Sequence, residues 1–306
     1  MKKDFAFFLI TVVCLLTFSI LWYSNVSAES FSGDFPDLTR KSSFLQPAAV
    51  NLLPENINNI EGKVGLALSG GGAWGLAHIG VLEVLEEKNI QIDMISGTSA
   101  GAIAGALYAD GYTSDQMKEM VAELQWRDFL FPTLNSLGFF SISRVEDSLA
   151  ERLSTQNIED LPLEFYITVT DVDSGKALSY SRGPLAQLLA AAAAVPVLFE
   201  PVEYEDKLLA DGGLSENLPV QVLREAGADV IIAVDVAGNF SFTGRPEGMI
   251  DYGNRAFNIM RRNMQEEIEA DIIIQPDLDG FSGIEFEEYS LLISRGREAA
   301  ENYFSP

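Results

Sequence analysis

Residues 97–101 read Gly-Thr-Ser-Ala-Gly, a G-x-S-x-G pattern. Gly97 and Gly101 leave room for a sharp strand-to-helix turn that exposes the hydroxyl of Ser99 for attack. A serine hydroxyl is a weak nucleophile until a neighbouring base takes its proton. Hydrolases of the α/β type use a histidine placed after the serine in the chain. This chain has one histidine, His78, and it precedes Ser99. His78 falls inside a helical apolar pattern, which fits a packed, hydrogen-bonded core residue. If Ser99 is a nucleophile, something else must activate it.

A carboxylate serves if it reaches the hydroxyl directly. Asp211-Gly212-Gly213 is the candidate. It follows the apolar stretch Leu208–Ala210, so Asp211 falls at a strand end, and Gly212 and Gly213 permit a tight turn there. The competing reading is a plain Asp-Gly turn. A second glycine loop, Ser69-Gly70-Gly71-Gly72-Ala73-Trp74-Gly75, follows a strand and opens a helix. Gly70, Gly72 and Gly75 match the spacing of a dinucleotide fingerprint. Backbone N–H groups at such a place favour negative charge, either a pyrophosphate or the oxyanion of an ester intermediate. A helix cap with no ligand is the third possibility. Asp93 stands roughly where a ribose-binding acid belongs, but inside an apolar strand pattern rather than at its end.

The elements that must position these residues alternate along the chain. Strands are expected at Val64–Leu68, Ile92–Ile95, Val230–Val236 and Asp271–Ile274. Helices are expected at Ala73–Lys88, Ala100–Ala109, Asp115–Leu124, Met249–Ala270 and Glu287–Tyr303. Leu163–Val172 and Ala177–Ser181 read as a hairpin around Asp173-Ser174-Gly175. This predicts an α/β fold, a mostly parallel central sheet flanked by helices on both faces. Such sheets keep their chemistry in loops at the carboxyl ends of the strands, where both glycine loops emerge.

The 306 residues are 47% hydrophobic and 21% charged, which suits a globular core. The net charge of −25 argues against nucleic acid and against purely electrostatic docking on anionic lipid. Lys2 and Lys3, the apolar run Phe5–Tyr23 and the small residues Val26-Ser27-Ala28 predict a signal peptide over residues 1–28. The run approaches the ~20 residues that span a bilayer, so an uncleaved N-terminal anchor is the alternative. Either way the domain is expected to be exported: periplasmic, secreted, or anchored outside the inner membrane. The only cysteine, Cys14, lies in this segment, so no disulfide or thiolate chemistry is expected in the domain. Residues 29–62, with Pro36, Pro47 and Pro54, read as a linker, and residues 63–306 as the catalytic domain.

Taken in order, Gly70-Gly71-Gly72-Ala73-Trp74-Gly75, Gly97-Thr98-Ser99-Ala100-Gly101 and Asp211-Gly212-Gly213 resemble the patatin-like phospholipases, a family of lipid acyl hydrolases. The flanks agree: GLAHIGVLEVLEE after the first loop, AAAAVPVLFEPV at 191–202 and ADGGLSENLPVQVLREAGADVIIAVDV at 210–236. The resemblance covers about Lys63 to Val236; residues 236–306 fit a C-terminal helical extension of the same domain. It implies a three-layer α/β/α fold and a Ser-Asp dyad, with Ser99 as nucleophile and Asp211 as base. It implies an oxyanion hole formed by the N–H groups of Gly70, Gly71 and Gly72, and a fatty acyl ester substrate. One position departs from the pattern. The family usually carries Arg or Lys where this chain has Trp74, which keeps a weak or inactive lipid-binding module as the alternative function.

Trp126–Pro132 and Leu137–Phe140 form an aromatic stretch that reads as a lid or lipid-facing lip, or as ordinary packing under a loop. Phe281 and Phe286 carry the same two readings. Asp171 and Asp173 lack a third ligand, so no metal is expected, and the proposed hydrolysis needs no cofactor. The expected partner is a lipid or membrane-surface substrate, with no nucleic acid.

Overall fold

The computed structural model describes residues 62–133, 137–238, 245, 248–264, 269–283 and 285–304. The expected signal or anchor segment and the expected linker up to residue 61 lie outside them. In chain order the elements are β1 (Val64–Leu68), a 3-10 turn (Gly72–Leu76), α1 (Ala77–Glu87), β2 (Met94–Thr98), α2 (Ala100–Ala109), α3 (Ser114–Glu123), β3 (Gly138–Phe140), α4 (Ser143–Arg152), β4 (Glu164–Asp171) and β5 (Lys176–Tyr180). There follow α5 (Leu185–Ala192), β6 (Val197–Phe199), β7 (Val202–Tyr204), β8 (Lys207–Asp211), α6 (Val220–Glu225), β9 (Val230–Val234), α7 (Met249–Met264), β10 (Ile272–Ile274) and α8 (Tyr289–Phe304).

Eight strands form the main sheet, in the order β10-β9-β1-β2-β4-β8-β7, with β5 on the other edge of β4. The run from β10 to β4 is parallel. The pairings of β5, β8 and β7 are antiparallel. Alternation along the strands sorts the core into two layers. Leu66 and Leu68 of β1 and Ile232 and Val234 of β9 join one cluster with α1, α2, α5 and α8. Ala67, Ile231 and Ala233 turn the other way, onto Leu218, Val220 and Leu223 at α6. This is the helix-on-both-faces arrangement expected from the sequence. The C-terminal segment belongs to the same core: β10 extends the sheet beside β9, and Leu292 and Ile293 of α8 are buried in the larger cluster.

Several boundaries differ from the sequence expectation. The first helix opens as a 3-10 turn, because the glycine loop is held by contacts outside it. The second strand begins at Met94 rather than Ile92 and runs on to Thr98. Asp93 acts structurally, since its carboxylate accepts the Val64 N–H at 2.7 Å and secures the start of β1. That removes it from the dinucleotide reading. The helix expected to reach Ala270 is described over Met249–Met264, residues 265–268 lie outside the described residues and 269–270 are not helical, and the last helix begins at Tyr289 after a short turn at Phe286–Glu288.

Candidate active site

The site is made by one edge of β4. Along the opposite edge β5 pairs continuously, Thr168 facing Ser179 and Val169 facing Leu178. The site edge is divided. β2 runs parallel up to Thr98 opposite Thr168, and β8 arrives antiparallel with Asp211 opposite Val169. The two strands therefore meet head to head. Ser99 is the next residue after β2, and Asp211 is the last residue of β8.

Ser99 occupies φ 53°, ψ −126°, a conformation an L-residue adopts only when its surroundings force it. It caps α2, whose positive end is directed at it. The forcing contacts are tight. A Cβ on Gly101 would strike the carbonyls of Leu68 and Ser69, and one on Gly97 would lie 2.6 Å from the Ala102 Cα. Only glycine lets β1, the turn and α2 approach this closely. Ser99 Oγ donates to Asp211 Oδ2 at 2.6 Å, in the short range of a bond to a charged acceptor. The second carboxylate oxygen accepts the Gly213 N–H at 2.7 Å, and Thr170 Oγ1 donates to the Asp211 carbonyl at 2.9 Å. Both residues are buried, so the pair is shielded from bulk water. Gly212 packs against Thr168, where a side chain would collide with the β4 backbone.

The glycine loop lies beside this pair. A Cβ on Gly70 would stand 3.0 Å from Ser99 Cβ, and Gly75 packs on Ala100. Gly70 donates its N–H to the Asn217 carbonyl at 3.1 Å, and the Asn217 amide returns a bond to the Gly70 carbonyl at 3.3 Å. The Gly70 N–H is thus engaged with Asn217 in this structure. Gly72 sits at φ +58° with the Gly283 carbonyl packed where a side chain would project. Asn217 thus ties the base turn to the glycine loop. Sequence reading missed it, although it lies six residues after the base.

Trp74 is the other addition. It is 3% exposed, and its indole N–H donates to the Phe281 carbonyl at 3.0 Å. The Ala73 N–H donates to Gly283 at 2.8 Å. Residues 281–283 therefore hold the loop from outside, so support reaches it through an indole and a backbone rather than through a cation. Phe281 and Phe286 both pack against the core. The aromatic stretch expected as a lip is mixed: Trp126 stacks on Phe286 at 5.9 Å, while Phe131, Leu137 and Phe139 are exposed.

His78 is committed to the Ser69 backbone. It is fully buried, and its Nε2 bonds the Ser69 carbonyl at 2.8 Å. A carbonyl only accepts, so Nε2 carries the proton and Nδ1 is bare, without a hydrogen-bond partner. Burial pulls its pKa down to about 4, against a smaller opposing effect of the Ser69 bond. The ring is neutral at ordinary pH and anchors the residue before the glycine loop. Ser69 is held again by the Val236 N–H, which donates to its Oγ at 2.9 Å. Burial also raises the carboxyl of Glu216, with the nearby Glu225 adding to the effect. Among the described residues no group of three or more His, Cys, Asp or Glu is arranged to hold a metal. Asp171 instead accepts from Ser174 Oγ at 2.8 Å within the β4–β5 turn.

The model of the patatin-like phospholipase family matches residues 66–224, just over half of the chain. An uncharacterized NTE family protein of Mycobacterium tuberculosis is 34% identical over 180 residues, 58% of this chain and 50% of that protein. Lysophospholipase nte1 of Emericella nidulans is 34% identical over 205 residues, 65% of this chain and 13% of that protein. The chain therefore spans half the length of the mycobacterial relative and a small part of the fungal one. Among solved structures, VipD from Legionella pneumophila shares the fold at a TM-score of 0.56 and 13% identity, over 80% of this chain and 67% of that one. The family match contains Ser99, Asp211 and both glycine loops in one continuous span, and the chain belongs to the patatin-like phospholipase family.

Proposed function

We propose that this protein is an exported serine lipid acyl hydrolase that cleaves fatty acyl esters of phospholipids or lysophospholipids. The observation that carries the reading is the buried 2.6 Å bond from Ser99 Oγ to Asp211. Asp211 takes the hydroxyl proton as Oγ attacks the ester carbonyl carbon. The negative charge moves to the carbonyl oxygen, where the N–H groups of Gly71 and Gly72 and the positive end of α2 stabilise it. Collapse expels the alcohol, which takes the proton back from Asp211 and leaves an acyl-serine. Water then attacks the acyl carbon with Asp211 again as base, and the fatty acid leaves. The sequence of steps draws on no cofactor.

Support for the substrate class comes from the family and from relatives named as lysophospholipases. Support for export comes from Lys2, Lys3 and the apolar run before Val26-Ser27-Ala28. The alternative, a lipid-binding module without activity, rested on the loss of a cation at Trp74. The indole bond to Phe281 weighs against it, because it keeps the loop supported. The direct test is fatty acid release from mixed phospholipid and lysophospholipid micelles, with Ser99→Ala and Asp211→Ala alongside. Release abolished by both changes is the expected result. A folded, unmutated protein that releases nothing would overturn the hydrolase reading.

A further inference from the structure

Among the described residues nine large apolar side chains are exposed, and four of them lie on one small ribbon: Phe131, Leu137, Phe139 and Val197, at 52%, 54%, 59% and 67%. β3 pairs with β6 in parallel, Gly138 facing Val197 and Phe140 facing Phe199. Residues 131–133 turn back antiparallel on 139–141, with Ser141 N–H donating to Phe131 at 2.8 Å and Pro132 opposite Phe140. Strand alternation places Phe131 and Phe139 together on one face. On the other face Phe140 packs against Phe199, ring centres 6.4 Å apart. The Glu200 carboxylate fastens the ribbon, accepting from Ser141 Oγ at 2.6 Å and Thr133 Oγ1 at 3.0 Å. The outward face is thus built rather than left over.

This ribbon is continuous with the site. The Ala194 carbonyl accepts the Asp211 N–H at 3.0 Å, three residues before Val197. Val197 itself sits at φ +71°, a conformation that is costly for a β-branched residue. Val197 is paired with Gly138, on the face of Phe140 and Phe199, so the outward apolar face is carried by Phe131, Leu137 and Phe139.

We propose that the β3–β6 ribbon docks on a zwitterionic phospholipid surface and so brings Ser99 to esters held there. The choice of occupant rests on the hydrolase reading and on charge. A chain of net charge −25 is repelled by an anionic bilayer, whereas an apolar face enters an uncharged one without that cost. The Arg144 guanidinium, 4.9 Å above the Phe131 ring, is placed for the phosphate of a headgroup that also carries its own cation.

The test uses the full chain with Ser99→Ala and Cys14→Ser, carrying an environment-sensitive dye at Leu137→Cys or, as control, at Lys176→Cys in the distant β5. On phosphatidylcholine vesicles the dye at 137 shifts to the blue and the dye at 176 does not. Added phosphatidylglycerol diminishes the shift. Equal responses at both positions would mean attachment by the N-terminal run alone and would overturn the proposal, as would no response at either. A shift that needs protein concentration rather than lipid would assign the ribbon to a second copy of the chain instead. Phe131→Ser with Phe139→Ser, in the otherwise unmutated protein, should leave turnover of a soluble short-chain ester unchanged. On vesicles it should slow hydrolysis by about tenfold or more, from the apolar area no longer buried. Unchanged hydrolysis on vesicles, or equal loss on both substrates, counts against docking. If the unmutated protein turns over neither substrate, the hydrolase reading fails while the dye measurement still decides the docking.

Discussion

Ser99 and Asp211 stand where two strands meet head to head on one edge of β4, Thr98 just before Ser99 facing Thr168 and Asp211 facing Val169 in adjacent register. The proposed nucleophile and base are 112 residues apart in the chain, yet a single strand fixes their separation. Neither side chain depends on a long mobile arm, and the 2.6 Å bond follows from the sheet itself. A direct carboxylate base needs this placement, since no imidazole bridges the gap.

Removal of either member should therefore stop the chemistry while preserving the fold. Asp211→Asn is expected to lower kcat by about 10²–10⁴-fold, the usual range for a general base. Ser99→Ala should lower it at least as far, and the double variant should be no worse than Ser99→Ala. Fatty acid release gives the rates, and fluorophosphonate labelling reports the nucleophile independently. Additive losses in the double variant would show that the two residues do not act as one unit.

The loop tether makes a separate prediction. Trp74→Phe keeps most of the buried ring but removes the N–H that bonds Phe281, leaving a carbonyl without that donor. The cost is about 1–3 kcal/mol of stability. Because the tether bears on the glycine loop proposed to hold the oxyanion, kcat should fall more than KM rises. Urea unfolding and steady-state kinetics on the same preparation separate the two effects, and a rise in KM alone would deny the tether a role in the loop.

Gly101→Ala probes the turn around the nucleophile. Its methyl group would meet the Leu68 and Ser69 carbonyls, and backbone must move. Overpacking of this kind costs about 1–3 kcal/mol, and displacement of Ser99 should remove most activity. A variant with wild-type kcat would show that the turn tolerates a side chain there.

His78 sets a pH dependence of stability. The native ring has a pKa of about 4 because burial disfavours its charged form, whereas the unfolded ring titrates near 6.5. Between those values only the unfolded chain takes up the proton. Its stabilising contribution is complete above pH 6.5, is lost as pH falls through the interval, and changes no further below pH 4. The loss amounts to roughly 3 kcal/mol. Urea midpoints from pH 7 to pH 4 should fall less steeply in His78→Gln than in the unmutated protein. Parallel slopes would contradict the assignment.

The N-terminal segment gives the last prediction. If residues 1–28 are a cleaved signal, protein recovered from outside the cytoplasm should begin at Glu29. N-terminal sequencing reads this directly, and an intact Met1 on membrane-bound protein would favour the anchor.

Much of this protein was determined by local sequence. Glycine spacing around Ser99, the strand before it and the small-residue helix after it are local features, and steric limits make them readable without a fold. The Leu208–Ala210 run followed by Asp211-Gly212-Gly213 marked the candidate base for the same reason. The alternation of short apolar strands with helices along the chain announced a sheet covered on both faces. What the sequence left undecided are relationships between distant segments. Nothing near Gly70 reveals that the Asn217 carbonyl occupies its N–H. Trp74 read as the loss of a cation, and only the position of residues 281–283 made it a tether. β3 and β6 are three residues each, too short for periodicity to show, and they pair because Gly138 and Val197 are brought side by side. Local propensity fixes turns and faces; which backbone donor meets which carbonyl is settled by where the sheet puts them.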